Sequence, residues 1–120
     1  MKREELELKL NDSVSEIDYE RMNQLLDNSI GLGKGYNFED GSINMVIAME
    51  EFGELTQQIS KWIRHKGDKL SLTEELADST IMMEYVKKVC DISQDDINKI
   101  INIKLDRLEE RDKKLMSLGG

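Results

Sequence analysis

The sequence predicts an all-α fold, a four-helix-type bundle completed by homo-oligomerisation. Three observations carry this. The chain has no proline in 120 residues and is charge-rich and Leu/Ile/Met-rich with few aromatics, a mix that sustains long helices. Helix-start signatures of the Ser-x-x-Glu type recur along it. No alternating strand pattern, repeat or low-complexity stretch interrupts the helical periodicity.

Residues 1–12 are charged and are expected to fray or to form a loose leading helix. Ser13 with Glu16 reads as a capping box, opening a helix that carries Val14, Ile17, Met22, Leu25 and Leu26 and stops near Asn28 to Gly31. A glycine-rich connection follows, Gly31-Leu32-Gly33-Lys34-Gly35-Tyr36, continuing to about Gly41. A long second helix runs from near Ser42 to about His65, with Gly67 as its stop. Ser71 with Glu74 is a second capping box, opening a third helix to about Cys90. Ser93, followed by Gln94, Asp95 and Asp96, caps a fourth helix to about Leu115. Residues 116–120 read as a tail. The fourth helix is too long and too apolar along Ile97, Ile100, Ile101, Leu108 and Leu115 to be satisfied within one small chain, so burial against a second copy is expected.

The length suggests one domain with a real but small core. A net charge of -8 repels nucleic-acid backbone and anionic lipid, so neither nucleic acid nor membrane is an expected partner. An anionic substrate would need local cations. The single cysteine, Cys90, permits no intramolecular disulfide and reads as a small core residue. No secretion signal or membrane-length apolar run is visible, so a cytoplasmic protein is expected.

The acidic residues depart from the simple bundle pattern. Glu51 and Glu54 are one helical turn apart, and so are Glu75 and Asp78. At about 100° per residue, Ala48, Phe52, Leu55, Ile59 and Trp62 form the core arc of the second helix. Glu51 lies on its edge, Glu54 one step further round, and Glu50 further out. On the third helix Glu75 and Asp78 fall in the sector of Met82, Val86 and Val89. On the fourth, Lys104 and Arg111 fall in the apolar sector with Arg107 at its edge, so a charged pocket inside the bundle is expected. The bland alternative is a set of core-edge ion pairs with snorkelling basic stems. Two matched pairs on consecutive helices favour a cation-binding cluster instead, because converging half-buried carboxylates need neutralisation.

Carboxylates without His or Cys suit a hard divalent cation, Mg²⁺ or Mn²⁺. Mg²⁺ held this way keeps water-filled positions that accept phosphate oxygens. Lys104 and Arg111 can hold further phosphate charge. A polyphosphate ligand and metal-assisted phosphoanhydride hydrolysis follow.

Glu50-Glu51-Phe52-Gly53-Glu54 fits E-E-x-x-E, and Glu75-Leu76-Ala77-Asp78 fits E-x-x-D. Together they resemble the signature of the MazG-like all-α nucleoside triphosphate pyrophosphohydrolases, a superfamily with the dimeric dUTPases, dCTPases and phosphoribosyl-ATP pyrophosphatases. The resemblance covers roughly residues 42–111. It implies cleavage of a nucleoside triphosphate to a monophosphate and pyrophosphate, with Glu51, Glu54, Glu75 and Asp78 as metal ligands and Glu50 as an outer acid that positions or deprotonates water. It also implies a homodimer or dimer of dimers. Lys104, Arg107 and Arg111 are similar to the family's phosphate-contacting segment on the last helix, where spacing varies, and Lys61 can reach phosphate from the second helix.

The remaining signals are weaker. Trp62, the only tryptophan, is either a base-stacking platform or core packing. The Gly31 to Gly35 stretch lacks a P-loop pattern and reads as a connection. His65 reads as a cap or surface residue, and Met45, Met49, Met82 and Met83 as packing. A di-iron or di-manganese carboxylate bundle needs Glu-x-x-His, which is absent. A non-enzymatic dimeric interaction or regulatory protein is the other alternative, and it needs no inward acids.

Overall fold

The computed structural model describes residues 1–33 and 44–119. These are all-helical: α1 (Arg3–Asp12), α2 (Tyr19–Gly33), α3 (Met45–Ile63), α4 (Lys69–Val89) and α5 (Gln94–Gly119). The charged leader is thus a formed helix, but one with no buried residue. The glycine-rich connection begins later than expected, since Gly31 to Gly33 still belong to α2. The rest of that stretch lies outside the described residues.

Helix starts were only partly legible. Ser13 does not open α2; it ends α1, its hydroxyl donating to the Lys9 carbonyl at 2.7 Å. Asp18, just before α2, instead accepts from the Arg21 backbone amide at 3.0 Å. Asp68, not Ser71, caps α4. Its Oδ1 accepts from the amides of Leu70 and Ser71, and its Oδ2 from the Ser71 hydroxyl at 2.6 Å. A carboxylate caps better than a hydroxyl here because it satisfies two orphan amides and complements the positive helix end. Ser93 does cap α5, accepting from the Asp96 amide.

The helix ends follow a related logic. His65 takes the left-handed position after α3 (φ 58°) and Asp91 the one after α4 (φ 53°). Gly67 is needed for space, not for φ. A Cβ there would sit 3.1 Å from the Trp62 backbone nitrogen, where the chain folds back over the end of α3.

Helices α3 and α4 form an antiparallel hairpin across this turn. Glu51 meets Asp78 while Glu54 meets Glu75, so the two run in opposite directions. Helix α2 lies against α4, and Lys88 reaches Asp27 at 3.0 Å. The buried centre is small: Leu26 from α2, Ala48 from α3, and Met82 and Tyr85 from α4. Each larger one contributes about 1.5–3 kcal/mol by leaving water. The small Ala48 of α3 and Ser79 of α4 are both almost fully buried.

Helix α5 is tied at its start, where Lys87 bridges Glu84 and Gln94. Beyond Ile97 every described residue of it is exposed. The chain accordingly has a radius of gyration of 18.1 Å, against about 14 Å for a compact domain of this length. Its accessible surface is 9840 Å², where a compact monomer of this mass exposes roughly 6,700 Å². No helix among the described residues is long and apolar enough to cross a membrane.

Candidate metal centre

The hairpin brings the acids together. Glu51 and Glu54 from α3 and Glu75 from α4 each offer a carboxylate oxygen, and these oxygens all lie within 4.8 Å of one another. Asp78, one turn from Glu75, lies close enough to Glu51 to push its carboxyl up. Glu51, Glu75 and Asp78 are half-buried, and Glu54 is exposed at the rim. Glu50 is exposed beside them.

Their electrostatics show the strain of this arrangement. Loss of hydration, then repulsion from Glu54, Asp78 and Glu51, pushes Glu75 up to about 7. Glu51 is also raised, first by desolvation and then by Glu54 and Asp78. Asp78 is raised by desolvation and by Glu54. One oxygen each of Glu51 and Glu75 is buried without a hydrogen-bond partner. Among the described residues no ion pair involves any of the four acids. The bland alternative, core-edge ion pairs with Lys or Arg, is therefore not what these residues form.

An all-oxygen donor set with two orphaned buried oxygens fits a hard divalent cation, which would satisfy both deficits at once. The donor set alone does not choose between Mg²⁺ and Mn²⁺.

The basic residues are placed differently. Lys104, Arg107 and Arg111 are exposed on α5, and the expected inward aim of Lys104 and Arg111 does not hold within one chain. The cause is that α5 makes almost no packing against the hairpin, so its apolar sector faces solvent along with its cations. Lys61 is exposed in a groove with Thr56, Gln57, Ser60 and Arg64. Trp62 is 48% exposed and is not core packing, and Ile59 is exposed beside it. Cys90 is exposed rather than buried. Of the methionines, Met82 is core, whereas Met49 and Met83 are exposed.

Sequence reasoning passed over Ser79, whose nearly buried hydroxyl has no hydrogen-bond partner. A serine directly after Asp78 on the acidic face was the available signal. The chain matches no family model, no curated protein and no solved structure.

Proposed function

We propose that the chain is a Mg²⁺-dependent nucleoside triphosphate pyrophosphohydrolase, cleaving a (d)NTP to the monophosphate and pyrophosphate, with Mn²⁺ able to replace Mg²⁺. The observation that supports this most is the convergence of Glu51, Glu54 and Glu75 within 4.8 Å, with no ion pair to any of them among the described residues. The resemblance of the two acidic motifs to the MazG-like signature is what narrows the reading to nucleotide chemistry.

In this reading Glu51, Glu54, Glu75 and Asp78 hold the cation. When bound, it neutralises charge on the phosphate oxygens and polarises the phosphoryl group. Glu50, exposed next to the cluster, orients the attacking water and takes its proton. Trp62, exposed on α3, offers a face for the base. Lys61 meets the outer phosphate charge.

The enzyme acts as a homodimer or dimer of dimers. A second copy covers the exposed stripe Ile100, Ile101, Leu108 and Leu115 of α5 and the groove of about 480 Å³ between α2 and α4, lined by Ile17, Met22, Leu25 and Ile81. The surface in excess of a compact monomer, about 3,000 Å² per chain, is what an obligate interface buries. Lys104, Arg107 and Arg111 then face phosphate held by the partner's acids.

The test is a panel of canonical and damaged (d)NTPs with Mg²⁺, scored for pyrophosphate. Monophosphate plus pyrophosphate from at least one, stopped by chelator, supports the reading. Orthophosphate alone, or silence across the panel, overturns it. The exposed α5 stripe also favours a second reading, a non-enzymatic dimeric interaction or regulatory protein. There, neutralising Glu75 and Asp78 leaves partner binding intact.

A further inference from the structure

Helix α3 carries two cations beyond the acidic centre. Lys61 and Arg64 share a groove of about 430 Å³ with Thr56, Gln57 and Ser60. Every side chain lining it is polar or basic, and each is exposed. The Arg64 Nε donates to the Ser60 carbonyl at 3.3 Å, which ties the guanidinium to the groove wall. Among the described residues neither cation forms an ion pair. The one acid in the adjoining turn, Asp68, already caps α4 and pairs with Arg3 at 2.9 Å. A chain of net charge -8 thus leaves two neighbouring cations unneutralised in a polar groove.

Helical spacing ties this groove to the acids. Lys61 is seven residues after Glu54, which is two turns less about 20°. The rise from Glu54 is about 10 Å to Lys61 and about 15 Å to Arg64. Glu54 is the member of the acidic cluster exposed at the rim. Helical side chains lean toward the N-terminus of their own helix, so Lys61 and Arg64 lean back toward Glu54. Gln57, one turn past Glu54, supplies amide donors between the two ends. Trp62 lies about 100° round the helix from Lys61, on the other flank.

We propose that this groove is the subsite for the terminal phosphates of the substrate, the ones that leave as pyrophosphate. This rests on the nucleotide reading above. A phosphate chain is a line of negative charge, and the line from Glu54 to Arg64 answers it in order. A cation on the acids takes the near phosphate, Lys61 the next, and Arg64 the last. Guanidinium and ammonium groups are the side chains that bind phosphate oxygens best. The groove reads the length of the phosphate chain and not the base, so a nucleoside with one more phosphate is held more tightly.

The test uses the full chain with Mg²⁺ and a nucleotide that it cleaves, offered as its uncleavable α,β-methylene triphosphate and as its monophosphate. Arg64→Ala and Lys61→Ala should each weaken binding of the triphosphate analogue roughly tenfold. Monophosphate binding should not change, because no tail enters the groove. Mn²⁺ affinity and melting temperature should also hold, since both side chains are exposed and neither is a metal ligand. The 5′-tetraphosphate should bind wild type more tightly than the triphosphate, and Arg64→Ala should erase that gain. Unchanged analogue binding in both variants, or equal losses for monophosphate and analogue, overturns the inference while turnover by wild type stands. Wild type that cleaves no nucleotide overturns the nucleotide reading, and this inference with it.

Discussion

Glu51 of α3 and Glu75 of α4 bring carboxylate oxygens within 4.8 Å of each other across the hairpin. Half-burial leaves little water to screen two such charges, so the protonated form gains on the ionised one. Three acids of one cluster are shifted upward together, and that sets how the protein responds to pH and to cations.

Stability of the ion-free chain should fall as pH rises from about 4.5 to about 7. Glu75 moves from 4.5 up to about 7 on folding, chiefly by desolvation. Between those values the folded state binds more protons than the unfolded state, so raising pH favours unfolding. Glu51 and Asp78 act in the same sense. Asp68 acts oppositely: its bonds from Ser71 and Arg3 lower it to about 2, so its support is lost only as pH falls below about 4. Thermal unfolding in chelator should therefore show a maximum near pH 4–5. Saturating Mn²⁺ should abolish the decline toward pH 8, because the ion prefers the ionised cluster. A flat chelator profile from pH 5 to 8 would contradict this.

Glu75→Gln should raise the ion-free melting temperature by several degrees and collapse cation binding. The substitution keeps shape while removing a half-buried charge that Glu54, Asp78 and Glu51 repel. Loss of Mn²⁺ affinity should exceed the roughly 10–100-fold typical of outer-shell partners. Calorimetry and a melting curve on one sample check both signs. Stabilisation without loss of binding would show that Glu75 is not a ligand.

Asp68→Ala should destabilise the chain by clearly more than Arg3→Ala. The carboxylate of Asp68 accepts from two backbone amides at the start of α4 and from the Ser71 hydroxyl. Arg3 contributes only an exposed ion pair to the same group, at 2.9 Å, and such pairs are weak. Equal effects in denaturant titration would mean that α1 docking, not capping, is what Asp68 provides.

The acidic site was more legible than the helix starts. Helical spacing alone sets Glu51 with Glu54 and Glu75 with Asp78, and the short Arg64–Asp68 turn dictates an antiparallel hairpin that joins the pairs. Capping was misread because Ser71 competes with Asp68 three residues earlier, and a carboxylate wins that competition. The inward aim of Lys104 and Arg111 was read from periodicity, which reports that α5 has an apolar side but not which chain covers it. Trp62 follows the core arc by the same periodicity, yet its ring is left 48% exposed.

Self-association should be strong and should depend on the apolar side of α5. Ile100, Ile101, Leu108 and Leu115 are 54%, 48%, 54% and 57% exposed on a helix with no buried residue. A helix so poor in contacts is marginal in water, which is the reason for proposing a covering surface. Sedimentation at micromolar concentration should give at least a dimer. The double substitution Ile101→Glu and Leu108→Glu places charges on the side of α5 proposed to meet a second copy, and should yield monomers with reduced helicity. The acids of the α3–α4 hairpin lie on other helices, so Mn²⁺ binding should survive in that variant while nucleotide turnover is lost along with the partner's Lys104, Arg107 and Arg111. A wild type that sediments as a monomer with full helicity would remove the reason for expecting α5 cations at the site, and would leave the acidic cluster to bind its cation alone.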